Sequence, residues 1–229
     1  MPKPKLSIIV PTLDEGEVIG EFLRQLLLLQ AAKSAEILII DGGSTDNTRD
    51  TVQAWAAKKK NIKWFEAPGG KGIAIRRGFF ESKGKNIIFI DADLQYSPKD
   101  IPNVLKALSS SDLVVTKRKS APLDHRRLLS LGFAKVIGKG LLSLPASDPQ
   151  SGLKGVRSSL LPKLSLASKN WELDAELIKK AERAGAKIVE IEIEFHPRSG
   201  GKSKTGALST SANLLSGSLK LAFQKPKRG

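Results

Sequence analysis

Five short apolar runs, each parted from the next by a stretch with helical spacing, decide the class of fold open to this chain. They are Leu6-Ser7-Ile8-Ile9-Val10, Glu36-Ile37-Leu38-Ile39-Ile40-Asp41, residues 62–66, Asn86-Ile87-Ile88-Phe89-Ile90 and Leu113-Val114-Val115-Thr116. Runs this short and continuous read as buried strands. Between the first two, Val18, Ile19, Phe22, Leu23, Leu26 and Leu29 recur at three- and four-residue steps, which predicts a helix from residue 17 to about 30. Further helices are expected from near Asn47, from the Pro68-Gly69-Gly70-Lys71-Gly72 loop to about residue 82, and over residues 100–108. A βαβαβαβ rhythm with short connections implies an α/β fold: a mostly parallel sheet with helices on both faces. The first strand is expected to stop at Pro11. The strand ends then gather Asp41, Asp91, Asp93 and the loop after Val10 on one rim, where open α/β sheets bind their ligands.

After residue 117 the rhythm changes. Lys117-Arg118-Lys119 and His125-Arg126-Arg127 bracket a loop, and residues 128–142 form an apolar, amphipathic stretch broken by Gly132, Gly138 and Gly140. Asp148-Pro149-Gln150-Ser151-Gly152 reads as a turn-rich loop. Residues 171–184 read as a helix with Leu173, Leu177, Ile178 and Ala181 inward. Residues 187–195 alternate apolar and polar, as in a half-exposed strand, and their glutamates suit a sheet edge. This part reads as a smaller, mixed element beside the parallel sheet. The last stretch sets Leu208, Ala212, Leu215, Leu219 and Ala222 on one helical face among lysines. The expected division is one domain over residues 1–205 and a basic amphipathic tail over 206–229.

At one place the residue types point to chemistry. Asp91-Ala92-Asp93-Leu94-Gln95 puts two carboxylates where a buried strand runs out. Two carboxylates this close repel unless a cation or a donor lies between them, so the segment is either a solvated turn or a cation site. Composition limits the cation. The 229 residues include no cysteine and two histidines, His125 and His196. That excludes disulfides, Cys-ligated zinc and a thiol nucleophile, and leaves a hard ion bound by oxygen, Mg²⁺ or Mn²⁺. Asp93 with Gln95 suits such an ion, Asp41 suits a ribose hydroxyl or a base edge, and Arg118, Arg126, Arg198, Lys202 and Lys204 suit phosphates. No GxxxxGK[ST] loop occurs, and no GxGxxG follows the first strand. The Pro-Gly-Gly-Lys-Gly loop reads as a phosphate loop or as a plain turn.

A net charge of +15 favours an anionic partner: nucleic acid, a membrane face or a phosphorylated substrate. Aromatic residues make up 5%, which is poor for stacking bases, and the bases cluster at the motif loops, so no nucleic acid is expected. No signal peptide is read at the start, and no run approaches the ~18 apolar residues of a membrane span. The expected place is the cytoplasm.

These segments together resemble the family 2 inverting glycosyltransferases of the GT-A fold, in their dolichyl-phosphate mannose synthase branch. The matching stretches are Ile8-Ile9-Val10-Pro11-Thr12-Leu13-Asp14-Glu15, Ile40-Asp41-Gly42-Gly43-Ser44-Thr45-Asp46, Gly70-Lys71-Gly72, Asp91-Ala92-Asp93-Leu94-Gln95, Asp148-Pro149-Gln150-Ser151-Gly152, and Arg198 with Gly201-Lys202-Ser203-Lys204. The resemblance implies that Pro11, Leu13, Glu15, Ile39 and Asp41 line a nucleoside pocket. It implies that Asp91, Ala92, Asp93 and Gln95 hold the donor diphosphate and the metal, with Asp91, Asp93 and Gln95 as the ligand set. Arg118, Arg126, Ser130, Arg198 and Lys204 would bind phosphates, and Asp91, Asp93, Gln95 and Arg126 would form the catalytic set.

The implied reaction moves mannose from GDP-mannose onto dolichyl or another polyprenyl phosphate, with UDP-glucose as the alternative donor and a basic nucleic-acid-binding module as the reading from another class. The implied setting is peripheral, on the cytoplasmic face of a membrane, with the tail or a membrane-anchoring partner subunit as the attachment. Two positions depart from the pattern. Leu13 stands where many members carry an aromatic residue, and Asp41-Gly42-Gly43 stands where Asp-Asp-Gly is usual.

Overall fold

The computed structural model describes residues 4–119, 140 and 142–197. In chain order the elements are β1 (Leu6–Thr12), α1 (Ile19–Leu28), α2 (Gln30–Lys33), β2 (Glu36–Asp41), α3 (Thr48–Lys58), β3 (Ile62–Glu66), α4 (Lys71–Glu81), β4 (Asn86–Ile90), α5 (Ile101–Ala107), β5 (Leu113–Arg118), β6 (Leu153–Arg157), α6 (Leu173–Arg183) and β7 (Ile188–Ile193). Short 3-10 turns, Pro98–Asp100 and Ser158–Lys163, precede α5 and follow β6. The predicted strands and helices before residue 119 are all present, with ends shifted by a few residues.

The strands form one sheet in the order β3-β2-β1-β4-β6-β5-β7. β3, β2, β1 and β4 pair in parallel, as do β5 and β7. β6 lies antiparallel between β4 and β5. Alternate residues of each strand feed opposite faces. Ile8, Val10, Ile37, Ile39, Ile88 and Ile90 pack under α1, α3 and α5 with Phe22, Leu26, Val52 and Val104. Ile9, Leu38, Ile40, Ile87 and Phe89 pack under α4 and α6 with Ile75, Phe79, Leu177 and Ile178. A sheet covered on both faces needs strands that are apolar at every position, which is why the early runs were continuous rather than alternating.

Two details differ from the sequence reading. β1 does not stop at Pro11 but runs to Thr12. The amide of Gly42 donates to the Thr12 carbonyl, so Thr12 faces β2 and Pro11 faces the other way. On that side the pairing with β4 ends at Ile9, so the missing N–H of proline costs no ladder bond. The second difference is β6, a strand not expected at all. Lys154 and Gly155 interrupt its apolar pattern, yet Lys154 is fully buried, with its Nζ 2.6 Å from Asp174 Oδ1. The charge that hid the strand is neutralised by a residue on α6. β7 is an edge strand, as its glutamates suggested.

Candidate active site

The C-terminal ends of β1, β2, β4 and β5 surround a cavity of about 400 Å³. Pro11, Leu13 and Glu15 reach it from the end of β1, and Gly42 from the end of β2. Asp91, Ala92, Asp93 and Gln95 reach it from the end of β4, and Arg118 from the end of β5. Thr12, Gly70, Lys71, Ala74, Tyr96, Gln150, Asn170, Trp171 and Phe195 complete the wall. Eight of the predicted site residues therefore converge: Pro11, Leu13, Glu15, Asp91, Ala92, Asp93, Gln95 and Arg118.

Ile39 and Asp41 are not part of that wall. Ile39 is fully buried in the core beneath it. Asp41 is buried too, and its carboxylate accepts hydrogen bonds from the amides of Gly43 (3.2 Å) and Ser44 (2.9 Å) and from the Ser44 hydroxyl. Its work in this structure is to bend the turn that sets Gly42 on the wall. Arg126, Ser130, Arg198, Lys204 and His125 lie outside the described residues, as do the greater part of the 128–142 stretch and the whole 206–229 tail. His196 is exposed, and its amide donates to the Gln95 carbonyl at 3.0 Å.

The 91–95 segment is held from several sides. Leu94 takes a left-handed conformation, φ 61°, which costs a non-glycine residue about 1–2 kcal/mol. Burial of the Leu94 side chain in the core offsets this cost. The turn directs the Gln95 amide back onto Asp93 Oδ1 at 3.1 Å. Tyr96 next to it bridges to Phe195, and the two rings meet edge to face at 5.3 Å. Burial pushes the Tyr96 phenol well above its usual pKa, so it stays protonated. On the other flank the Asp91 amide donates to the Gly152 carbonyl at 3.1 Å. A Cβ on Gly152 would lie 2.1 Å from Asp91 Oδ2 and 2.7 Å from Tyr96 Cε2. Only glycine fits there, which accounts for the end of the Asp-Pro-Gln-Ser-Gly stretch.

Asp91 is paired with a cation. Lys71 Nζ lies 2.6 Å from its Oδ1 and 2.7 Å from its Oδ2, and 4.4 Å from the centre of the Trp171 ring. Burial works against the Lys71 charge, but Asp91, Asp174 and Asp93 outweigh it and hold the ammonium above its ordinary pKa. Neither reading of the Gly-rich loop anticipated its packing. A Cβ on Gly70 would sit 2.1 Å from Asn170 Oδ1, and one on Gly72 2.7 Å from the Lys169 backbone. The Ile73 amide donates to the Lys169 carbonyl at 3.1 Å. The glycines let the 168–170 backbone close against the start of α4, and this contact carries Lys71 and Trp171 into the cavity together.

Arg118 is likewise engaged. Its Nε and Nη2 grip Asp148 at 2.7 and 2.6 Å, and its guanidinium lies 5.4 Å from the Phe195 ring centre. Burial opposes its charge, and Asp148 more than compensates, so its pKa is raised. Asp148 is fixed in turn because its own amide and that of Ser147 donate to Glu190 Oε1 at 3.1 and 2.7 Å. Glu190, one of the β7 glutamates read as edge protection, thus caps the 147–148 loop.

Sequence reasoning did not single out Lys71, Trp171, Asn170, Gln150, Tyr96 or Phe195 as wall residues. The signals for Lys71 were its place in the Gly-rich loop and in the Gly70-Lys71-Gly72 stretch of the family pattern, and for Trp171 its place at the head of a helix.

With this geometry in view, the relatives of the chain are informative. The sequence model of the family described as glycosyl transferase family 2 matches residues 7–159. The chain is 30% identical over 220 residues to a dolichol-phosphate mannosyltransferase of Mycosarcoma maydis, covering 88% of this chain and 74% of that one. It is 29% identical to the dolichol-phosphate mannosyltransferase of Pyrococcus furiosus, covering 87% of this chain and 59% of the relative's length. It is 26% identical to a dolichyl-phosphate beta-glucosyltransferase of Trichomonas vaginalis, covering 92% and 72%. Among solved structures, glucosyl-3-phosphoglycerate synthase from Mycobacterium tuberculosis, in complex with Mn²⁺, uridine diphosphate and phosphoglyceric acid, superposes with a TM-score of 0.73 at 20% identity. That superposition covers 98% of this chain and 80% of that one. The shared fold, the cavity at the strand ends and the family match over residues 7–159 lead to one conclusion: this chain belongs to glycosyl transferase family 2 and is a glycosyltransferase of the GT-A fold.

Proposed function

We propose that the chain transfers mannose from GDP-mannose onto dolichyl or another polyprenyl phosphate, with inversion at the sugar C1. The observation that carries this reading is the cavity itself. Carboxylate and amide oxygens from 91–95 stand beside Lys71 and Arg118 at the rim of the sheet, and among the described residues no histidine lines the wall. Such a site handles phosphates without supplying a strong general base.

The chemistry asks for none. A phosphate monoester has its second pKa near ~6, so at neutral pH the acceptor is mostly a dianion and already a nucleophile. Its oxygen forms a bond to C1 while the bond from C1 to the nucleoside diphosphate breaks on the opposite face. The electron pair leaves with the diphosphate. Pro11, Leu13, Glu15 and Gly42 bind the nucleoside, with Ile39 and Asp41 supporting them from beneath. The basic residues Arg118, Arg126, Arg198 and Lys204, with Ser130, take the donor and acceptor phosphates.

A divalent ion, Mg²⁺ or Mn²⁺, fits the donor set. Asp93 and Gln95 offer the hard oxygen ligands such ions take. Among the described residues no group of three or more His, Cys, Asp or Glu forms a metal cage. So sparse a set suits an ion that completes its shell with the donor's phosphates. When bound, the ion neutralises charge that gathers on the leaving diphosphate.

Among the described residues no helix is long and apolar enough to cross a membrane. We place the chain as a peripheral protein on a cytoplasmic membrane face, attached by its basic tail or by an anchoring partner subunit. The two dolichol-phosphate mannosyltransferase relatives favour mannose. The Trichomonas glucosyltransferase relative keeps UDP-glucose as the second reading.

The test is direct. The chain is incubated with Mg²⁺ or Mn²⁺, dolichyl phosphate and a panel of labelled nucleotide sugars, and the lipid fraction is counted. Label from GDP-mannose supports the reading, label from UDP-glucose alone replaces it with the second, and no label from any donor ends both.

A further inference from the structure

An ion pair that the proposed transfer does not use lies behind the cavity wall. Lys154 is fully buried and Asp174 is 2% exposed. Lys154 Nζ donates to Asp174 Oδ1 at 2.6 Å and to the Ser151 carbonyl, and it lies 5.5 Å from the centre of the Phe89 ring. Pairs this deep are a poor source of stability. The cost of drying both charges cancels most of their attraction, and well-packed apolar residues of similar volume often hold a core as well or better. What sets this pair apart is what it joins.

The Ser151 carbonyl belongs to the 148–152 loop. That loop brings Gln150 to the cavity, and its Gly152 carbonyl accepts the Asp91 amide. Asp174 stands in the first turn of α6, three residues after Trp171. The segment before it is fastened to the same helix. The Ser168 amide donates to Glu176 of α6 at 2.8 Å, and the Asn170 amide to Glu172, at the helix N-cap, at 3.2 Å. Asn170 and Trp171 therefore belong with α6, Gln150 and Gly152 with the loop, and Lys154 bonds one group to the other. In the sheet order β4 separates β6 from the strands that bring Pro11, Leu13 and Gly42. Gln150 thus lies across Asp91 from the nucleoside end, and Trp171 lies beside Lys71. An aromatic ring with side-chain amides near it suits the C–H face and the hydroxyls of a sugar.

We propose that Lys154 and Asp174 are positioning residues: their ion pair holds the 148–152 loop against the head of α6 and so keeps Gln150 and Trp171 set for the donor's sugar before it binds. This rests on the sugar transfer proposed above. Apolar residues in their place would fill the same space but make no directed bond to the Ser151 carbonyl or across to α6. The core would survive, and the two pieces of wall would slip against each other. Stability and turnover therefore respond differently to the same change.

The experiment compares the full wild-type chain with the double variant Lys154→Met/Asp174→Leu. Melting is followed by calorimetry. The emission of Trp171 is read without ligand in a Trp55→Phe/Trp64→Phe background, which leaves it as the single tryptophan. The double variant should melt close to the wild type, yet its Trp171 emission should shift and quench more readily with acrylamide. GDP and UDP affinities should hold, because the nucleoside end is untouched. The kcat for lipid-linked sugar should fall about tenfold or more, since a small misplacement of positioned groups costs up to ~100-fold. Unchanged kcat or unchanged Trp171 emission in the folded double variant overturns the proposal, as does a nucleotide affinity that falls in step with kcat. Where the double variant does not fold, Asp174→Asn decides. It keeps an acceptor for Lys154 Nζ, so kcat should stay near the wild-type value in spite of a lower Tm, and a collapse of kcat overturns the proposal. A wild-type chain that yields no lipid-linked sugar from any donor ends the sugar-transfer reading instead. The ligand-free emission still judges the ion pair in that case, and an unshifted spectrum in the double variant counts against it.

Discussion

Replacing Gly152 by alanine adds a single methyl group at a place where the structure leaves none. The new Cβ would lie 2.1 Å from Asp91 Oδ2 and 2.7 Å from Tyr96 Cε2. No positive φ is required of Gly152, so the backbone itself tolerates alanine and the effect is steric. Neither neighbour yields easily. Asp91 is held by Lys71 and by the Gly152 carbonyl, and Tyr96 is held by Phe195. Relief requires the Asp91 carboxylate to move by roughly 1 Å, since nonbonded contacts settle near 3 Å or more. Overpacking of this kind costs about 1–3 kcal/mol. For a chain of this size that lowers Tm by roughly 2–12 °C. The effect on turnover should be larger, because a displacement of about 1 Å in a positioned group costs on the order of 100-fold. The assay is calorimetric melting together with kcat for lipid-linked sugar formation. A Gly152→Ala chain that melts a few degrees low but turns over at the wild-type rate would refute the reasoning, since Asp91 would then tolerate displacement.

Three further outcomes are expected. Lys154→Met leaves Asp174 buried without its partner and should cost about 3–5 kcal/mol in urea unfolding; the pair replaced together by apolar residues should recover most of it. Glu176 is buried, which favours its neutral form, but Lys180 and the amides of Ser168 and Ala167 hold its pKa below the usual value. The unfolded chain therefore binds its proton first, so this stability is present above about pH 4.3 and fades as pH falls through the lower folded value. Urea midpoints across that range should show a shallower acid limb in Glu176→Gln, and identical limbs would count against it. Deleting residues 207–229 should reduce flotation with anionic vesicles; undiminished flotation would assign membrane contact elsewhere.

The fold was legible where burial is local and complete. β1, β2, β4 and β5 announce themselves because both faces of the sheet are covered, so nearly every position is apolar, whereas β3 is a half-buried edge strand broken by Lys63. β6 was not legible because Lys154 is neutralised by Asp174, twenty residues away on another element. No local pattern encodes that pairing. The site divides in the same way. Asp91, Asp93 and Gln95 were found because two carboxylates at a strand end are chemically conspicuous. Lys71 and Trp171 were passed over because their meeting depends on two glycines packing against a backbone nearly a hundred residues later. Asp41 was read as a ligand group from its place at a strand end, whereas its carboxylate is consumed by the turn that follows it. A strand end marks where a side chain emerges and leaves open which way the next turn bends it.

The antiparallel course of β6 has a consequence for how the two halves of the protein are joined. Among the described residues, the strand ladders that link β3-β2-β1-β4 to β5-β7 run through its five residues. Because β6 runs against its neighbours, it begins at the rim where they end, so Gly152 and the loop before it stand at the cavity beside Asp91 and Tyr96. One short strand is thus both the seam between the β3-β2-β1-β4 half and the β5-β7 half and the piece that brings Gln150 and Gly152 to the cavity between them. Beyond β6 the halves are tied at the rim by the Tyr96–Phe195 bridge, so whatever shifts β7 is felt at the 91–95 segment without passing through the seam.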